Sequence, residues 1–330
     1  ALIEAAFAAA DEHGTVSFAF QGGEPTVAGL DFFRDFVAMV SAFRPLDRQV
    51  SYALQTNGMA LNEEWTHFLK ENQFLVGLSV DGYRELHDHY RVDTKGEGTY
   101  GRVAKALALL QKFEVETNLL CVVTGQCAKH PQKTYASMKK LGVRYLQFIP
   151  CLDPLEEQRG RAVYSLTPKL YGDFLCGLFD QWYRDWAEGH YTSVRLFDDY
   201  VHLAMGEPAS TCAASGGCGS YFVVEADGGV YPCDFYVLDR WRMGDVHTDS
   251  LKQLANDETA SEFLRQGRLR PSRCASCRWV PLCNGGCRRD WTGGADDTEN
   301  YYCESFRRFF EYAADRIGEI AWQERRSRMR

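Results

Sequence analysis

An α/β architecture, a partial (β/α)6 barrel followed by a C-terminal cysteine-rich domain, is predicted by three observations. Short apolar runs alternate with amphipathic runs over the first two-thirds of the chain, the pattern of parallel strands with helices packed outside them. Six such runs within about 200 residues suit a curved, partly closed barrel better than a flat nucleotide-binding sheet. After about residue 205 the texture changes: Gly, Ser and Cys increase, and eight of the twelve cysteines fall between Cys212 and Cys303. The expected division is therefore residues 1–205 for the barrel and 206–330 for the cysteine-rich domain.

The opening segment Ala1–His13 reads as the body of a helix ending at Gly14, a residue type suited to a C-terminal cap. No capping residue precedes it, and a chain that starts inside a helix is expected to have sequence upstream. Strands are expected at Val16–Phe20, Val50–Leu54, Phe74–Ser79, Thr117–Val123, Arg144–Ile149 and Ser193–Phe197. Each is short and rich in Val, Leu, Phe or Tyr, as a strand buried on both faces should be. Helices are expected between them, at Leu30–Phe43, Asn62–Asn72, Tyr100–Phe113 and Pro131–Leu141. Further on, Phe222–Tyr231 has the character of a hairpin turning at Asp227-Gly228-Gly229. A final helix follows from about Glu304 to Arg325, and the basic end Arg325–Arg330 reads as a solvated tail.

Apolar and charged fractions of 45% and 25% are those of a globular protein. The formal charge of -8 argues against a nucleic-acid binder. No run of 18 apolar residues is present to span a membrane, and no secretory signal is visible. The expectation is a cytoplasmic, monomeric protein whose thiols stay reduced, so clustered cysteines point to metal rather than to disulfides. The scattered Cys121, Cys127, Cys151 and Cys176 are expected to behave as small buried hydrophobes.

The eight clustered cysteines form two groups. Cys212, Cys218 and Cys233 flank and end the hairpin, while Cys274, Cys277, Cys283 and Cys287 form a C-x2-C-x5-C-x3-C run with Cys303 as a distant partner. Eight thiolates make two complete sets of four, enough for two [4Fe–4S] clusters. Zinc also accepts four thiolates. The glycines in Cys283-Asn284-Gly285-Gly286-Cys287 are less typical of zinc ribbons. Spacing alone leaves both metals open.

Within the predicted barrel, Gln21-Gly22-Gly23-Glu24-Pro25 follows the first strand. Glycines let a ligand approach the backbone closely, and a carboxylate there can accept hydrogen bonds from an ammonium group. Two further segments, Leu54-Gln55-Thr56-Asn57-Gly58 and Gly77-Leu78-Ser79-Val80-Asp81-Gly82, follow in order. Together with the cysteine run, these segments resemble the radical S-adenosylmethionine (SAM) enzymes, whose barrel is a partial (β/α)6, TIM-like one. The C-terminal part resembles their SPASM-type auxiliary-cluster domain. The likeness extends through Cys151-Leu152-Asp153-Pro154 and Pro232–Leu238, and over nearly the whole chain it is closest to the anaerobic sulfatase-maturating enzymes.

The resemblance implies the following roles. Gly22, Gly23 and Glu24 would hold the methionine amino group of SAM, Ser79 and Arg91 would contact SAM, and Leu152 would pack near its adenosine part. Gln21 would contact the bound peptide. Auxiliary [4Fe–4S] cluster I would use Cys212, Cys218, Cys233 and Cys287, and cluster II Cys274, Cys277, Cys283 and Cys303. Asp234, beside a cluster ligand in Tyr231-Pro232-Cys233-Asp234-Phe235-Tyr236, would be the catalytic base. A 5′-deoxyadenosyl radical made from SAM would remove a hydrogen from the β-carbon of a Cys or Ser in an unfolded sulfatase segment, leading to Cα-formylglycine. The electrons would come from a reducing donor such as flavodoxin or ferredoxin.

One feature departs from that pattern. The C-x3-C-x2-C triplet that holds the SAM-cleaving cluster is not found in these 330 residues; a third [4Fe–4S] cluster is expected on upstream sequence. The rival readings are another peptide-modifying enzyme of the same superfamily (thioether crosslinking or epimerisation), an iron–sulfur electron carrier without SAM, and a zinc-stabilised binding protein.

Overall fold

The computed structural model describes residues 1–155, 157–219, 221–293 and 298–328. Helix α1 (Leu2–Ala9) leads into β1 (Thr15–Phe20), α2 (Leu30–Phe43), β2 (Gln49–Thr56), α3 (Glu63–Glu71) and β3 (Phe74–Ser79). Then come α4 (Arg84–Tyr90), α5 (Tyr100–Lys112), β4 (Thr117–Val123), α6 (Pro131–Lys140) and β5 (Tyr145–Pro150). Helix α7 (Pro168–Ala187), β6 (Ser193–Val194) and α8 (Arg195–Ala204) complete the alternation. Sheet order runs β1-β2-β3-β4-β5-β6, and β2 through β6 pair in parallel, Leu54 beside Val76 and Leu119 beside Leu146. Chain order and sheet order coincide, so each crossover adds its strand on the same side. A doubly wound nucleotide-binding sheet would reverse that order part-way. The predicted α/β class, with its six parallel strands, is the one found.

Local chemistry explains most element boundaries. Asn62 caps α3 by accepting from the Trp65 amide at 2.9 Å, and Thr167 with Pro168 opens α7, both common starts for a helix. Two expectations need correction. The first helix stops at Ala9, with Ala10 already extended (φ -71, ψ 144), so Gly14 is not its cap. The polar run Asp11-Glu12-His13 offers nothing to bury, and His13 itself takes the left-handed turn (φ 61). Second, Ser193–Phe197 is strand only at Ser193–Val194; Arg195 begins a helix. Phe197, Tyr200 and Val201 are its buried face, a spacing of three and four that a five-residue window cannot distinguish from a strand.

The chain folds as two compact units, Ala1–Phe18, Ala28–Ser51 and Thr211–Asn300 in one, Ala19–Val27, Tyr52–Ser210 and Tyr301–Arg330 in the other. The first carries the cysteine-rich loops. It contains α9 (Cys212–Ser215), β7 (Val223–Val224), β8 (Gly229–Tyr231), β9 (Gly244–Asp245), α10 (Leu251–Leu254), α11 (Glu258–Arg268), α12 (Val280–Cys283), β10 (Trp291–Thr292) and β11 (Glu299–Asn300). The hairpin forms where expected: Val223 pairs with Tyr231, and the Asp227 carboxylate accepts from the Gly229 amide at 2.9 Å across a turn with Gly228 at φ 88. β9 adds an unforeseen third strand. Val230, Met243, Val246, Leu251, Leu254 and Ala260 form one apolar cluster of this unit, against which Leu2, Ala5, Ala6 and Ala9 of α1 pack, and Tyr236, Trp241 and Phe263 form another.

In the second unit the last helix, α13 (Cys303–Arg328), lies against α7 and α8. Phe309 is fully buried, with ring centroids 5.6 Å from Phe179, Phe197 and Tyr200 and 5.5 Å from Phe310. The basic end is exposed over Arg325–Arg328 as expected, though helical and with two anchored arginines. Arg325 donates to the Met205 carbonyl and Arg328 pairs with Glu207 at 2.6 Å; Met329 and Arg330 lie outside the described residues. Cys121 and Cys127 are fully buried as expected, whereas Cys151 and Cys176 are only half-buried. Among the described residues no helix is long and apolar enough to cross a membrane.

Removing a ring at the junction of three helices leaves a cavity the backbone cannot close. Phe309→Ala should lower unfolding stability by about 3–5 kcal/mol, measured as a shift in the denaturant midpoint.

Candidate active site and metal centres

The loop after β1 places Gln21, Gly22, Gly23 and Glu24 at the end of a strand. Gly22 and Gly23 adopt φ 94 and 43, and a Cβ built on either would meet nothing within 4 Å. The left-handed backbone demands glycine, and the open space lets a ligand reach the main chain. Glu24 is held by four donors: the Thr26 amide (3.1 Å) and hydroxyl (2.6 Å) and the Thr56 hydroxyl (2.7 Å) on Oε1, and the Asn57 amide (2.7 Å) on Oε2. None of these four donors is a cation. Thr56 and Asn57 thus explain the Leu54–Gly58 segment: it orients Glu24 from the end of β2. Gln21 is exposed at the start of this loop.

At the end of β3, Ser79 is buried and Asp81 is 5% exposed. Asp81 takes a forked contact from Arg91, Nε to Oδ2 at 2.6 Å and Nη2 to Oδ1 at 3.3 Å, while the Val122 amide donates to Oδ1 at 2.9 Å. The structure therefore gives Arg91 an anchor that the sequence reading had not assigned; a forked pair sets the guanidinium plane. His87 braces the same loop, its Nδ1 accepting from the Asp81 amide at 3.2 Å and its Nε2 3.0 Å from the Thr99 hydroxyl. Because that hydroxyl donates to the Arg91 carbonyl at 2.9 Å, Nε2 must carry the ring proton. Leu152 lies in the loop after β5, which is tied down by buried Asp153, accepting from Ser165 and from the Gly160 amide (3.1 Å).

In the cysteine-rich unit, burial, then Asp290, then the thiols of Cys212 and Cys233 push the Cys287 thiol well up. Burial raises Cys218, which also feels Cys212, and burial pushes Cys233 up to about 11. Cys212, Cys218, Cys233 and Cys287 thus share one electrostatic neighbourhood. Sulfurs held neutral by burial would release their protons to solvent as a metal binds, its charge then taking the place of the protons. Cys274 is raised by burial and by Cys277, and the Cys277 amide donates to the Cys274 carbonyl at 3.2 Å. Cys283 ends α12; Cys303 opens α13, in the other unit. Asn284, Gly285 and Gly286, at φ 53, 89 and 68, turn the chain sharply from Cys283 to Cys287. That is why the C-x3-C spacing is filled by Asn-Gly-Gly. Asn300 and Trp291 clamp the turn by donating to the Gly285 carbonyl at 2.9 and 3.0 Å.

Asp234 accepts from the Tyr221 hydroxyl at 2.6 Å, and the same hydroxyl lies 3.4 Å from the Cys233 sulfur. Tyr221 was not singled out from the sequence, although its signal was there. The β7–β8 register, Val223 with Tyr231 and Val224 with Val230, extends to place position 221 opposite Cys233.

Two family models match the chain. The radical SAM superfamily matches residues 1–138, and SPASM, an iron–sulfur cluster-binding domain, matches residues 216–278. A cysteine-type anaerobic sulfatase-maturating enzyme of Clostridium novyi (strain NT) is 41% identical over 324 residues, covering 97% of this chain and 86% of that protein. Its counterpart in Clostridium perfringens (strain ATCC 13124) is 44% identical over 313 residues, 94% of this chain and 85% of that one. A solved structure, native anSMEcpe with bound AdoMet and Kp18Cys peptide, superposes with a TM-score of 0.94 at 43% identity, covering 98% of this chain and 89% of the other.

His87 generates a pH prediction. Burial lowers its pKa from 6.5 to about 4, so between those values the unfolded chain binds a proton that the folded chain does not. Its contribution to stability is whole above about pH 6.5, shrinks as pH falls, and is gone below about pH 4. The unfolding midpoint of His87→Gln, which keeps one donor and one acceptor, should fall less steeply over that window than that of the native chain.

Proposed function

The chain belongs to the anaerobic sulfatase-maturating enzymes, and from that premise we propose how its residues share the work. The reaction is oxidation of an active-site Cys or Ser of a sulfatase to Cα-formylglycine, with SAM and [4Fe–4S] clusters as cofactors. The substrate is a sulfatase peptide or unfolded sulfatase segment. Its oxidised residue is cysteine in preference to serine; the 41–44% identical relatives are named cysteine-type.

SAM, bound with its cluster, supplies the hydrogen-abstracting chemistry; the protein positions and excludes. Gly22 and Gly23 admit the ligand to the backbone and Glu24, braced by Thr56 and Asn57, accepts from its ammonium group. Ser79, Arg91 on its Asp81 anchor, and Leu152 complete the SAM site. Gln21 contacts the peptide. Cys212, Cys218, Cys233 and Cys287 hold auxiliary cluster I; Cys274, Cys277, Cys283 and Cys303 hold cluster II. Asp234 takes the thiol or hydroxyl proton of the substrate, while Tyr221, donating to Oδ1, fixes the carboxylate plane. The reading of Asp234 as base rests above all on that 2.6 Å hydrogen bond beside a ligand cysteine. A reducing donor such as flavodoxin or ferredoxin delivers electrons to the enzyme, which works as a cytoplasmic monomer.

The deciding experiment is anaerobic reaction of the complete protein with SAM, dithionite and a sulfatase-derived cysteine peptide, read by mass spectrometry. Formylglycine is the expected product; SAM cleavage with an unmodified peptide would overturn the reading. Asp234→Asn keeps the shape but not the base, so formylglycine formation should drop about 100-fold or more while SAM cleavage remains measurable. Cys283→Ala should lose one cluster's worth of iron and sulfide, with much of the cysteine-rich fold; full iron content in that variant would break the ligand assignment.

A further inference from the structure

Between Arg265 and Arg289 the sequence carries seven arginines and no acidic residue, in a chain whose net charge is -8. The same stretch holds four of the candidate cluster ligands, Cys274, Cys277, Cys283 and Cys287. Four of the seven arginines are already engaged in ways consistent with local structure. Arg289 is buried and Arg288 stands 4.9–5.1 Å from the rings of Tyr236, Trp241 and Phe263. Arg265 pairs with Glu262 at 2.6 Å, and Arg273 pairs with Glu299.

The other three differ. Arg268, Arg270 and Arg278 are exposed, and among the described residues none meets a carboxylate. Each adjoins a candidate ligand: the Arg268 side chain passes beside Gly217, next to Cys218; the Arg270 stem and the Cys274 sulfur both lie against Gly285; Arg278 follows Cys277. The Arg270 guanidinium is steered outward by the Asn284 amide oxygen at 3.0 Å, and that of Arg278 lies 4.4 Å from the Trp279 ring. Among the described residues none of the three charges meets a counter-charged side chain, and those of Arg270 and Arg278 are held in place.

We propose that Arg268, Arg270 and Arg278 form a docking face for an acidic one-electron carrier protein. The step it serves makes no bond: the carrier is oxidised by one electron and the chain's cluster is reduced by one. An acidic rim on the partner complements the uncancelled positive face, and steering of this kind acts on association rate and salt dependence. The sequence position of the three arginines among cluster ligands favours an electron carrier over RNA, which would need no thiols nearby. The proposal rests on the cluster assignment given above.

The test uses the complete, cluster-loaded protein and the variant Arg268→Gln/Arg270→Gln/Arg278→Gln, with iron content measured for both. Formylglycine formation is driven either by a reduced bacterial flavodoxin as acidic carrier or by dithionite, which needs no dock. In the variant the flavodoxin-driven rate at about 50 mM salt should fall about ten-fold, converging with the native rate at about 500 mM, while the dithionite-driven rate stays unchanged. An unchanged flavodoxin-driven rate, or an equal fall with both reductants, would overturn the dock. Flavodoxin affinity, read by anisotropy with a labelled carrier, stands apart from turnover. A native chain that makes no formylglycine with dithionite, yet binds flavodoxin in a salt-dependent way that the variant loses, sinks the proposed function and keeps the dock. Equal affinity in both proteins, or displacement of flavodoxin by RNA at lower concentration, sinks the dock. Arg278→Gln alone, which breaks no hydrogen bond to the chain, gives the same readouts should the triple variant lose iron.

Discussion

Burial pushes up the thiols of Cys218, Cys233 and Cys287; Cys212 adds to the cost of ionising Cys218, Asp234 to that of Cys233, and Asp290, Cys212 and Cys233 to that of Cys287. A group of thiols gathered this way is stable without charge only while protonated, and becomes a ligand set only when a metal supplies the compensating positive charge. Much of the cysteine-rich unit can be understood as scaffolding for that gathering. The hairpin brings Cys233 to the end of a paired strand, and three successive left-handed residues fold Cys283 back toward Cys287. Arg288, stacked among Tyr236, Trp241 and Phe263, ties the Cys287 loop to the apolar patch on which Cys218 and Cys233 pack.

The strand-end loops of the parallel sheet solve a related problem with carboxylates. Glu24 and Asp81 each accept several hydrogen bonds from the protein, but of different character. Glu24 is surrounded by neutral donors among the described residues, whereas Asp81 is paired with Arg91. His87, kept neutral by burial, carries the loop that joins Asp81 to Arg91 and so supports that pair through the backbone rather than through charge.

Much of this was legible in the residues. The strand–helix alternation, the Asp-Gly-Gly turn and the cysteine spacing are local patterns, each confined to a few residues whose own geometry dictates it. The helix α8 was misread because its first residues alternate acceptably for a strand, and the periodicity that identifies it extends past the window. The end of α1 was misplaced because Gly14 suggested a cap, whereas the chain had already turned extended at Ala10, where apolar side chains run out.

The sequence by itself determined the class of fold, the clustering of eight cysteines and the glycines that make close approach possible, because each depends on residue type, period or backbone freedom. Only the tertiary structure decided which carboxylate Arg91 would meet, that Tyr221 would bridge Asp234 and Cys233, that α1 would pack on the core beside β8 rather than stand alone, and that three arginines would meet no carboxylate among the described residues. Those outcomes depend on which side chains share a volume, and distance along the chain does not encode distance in space.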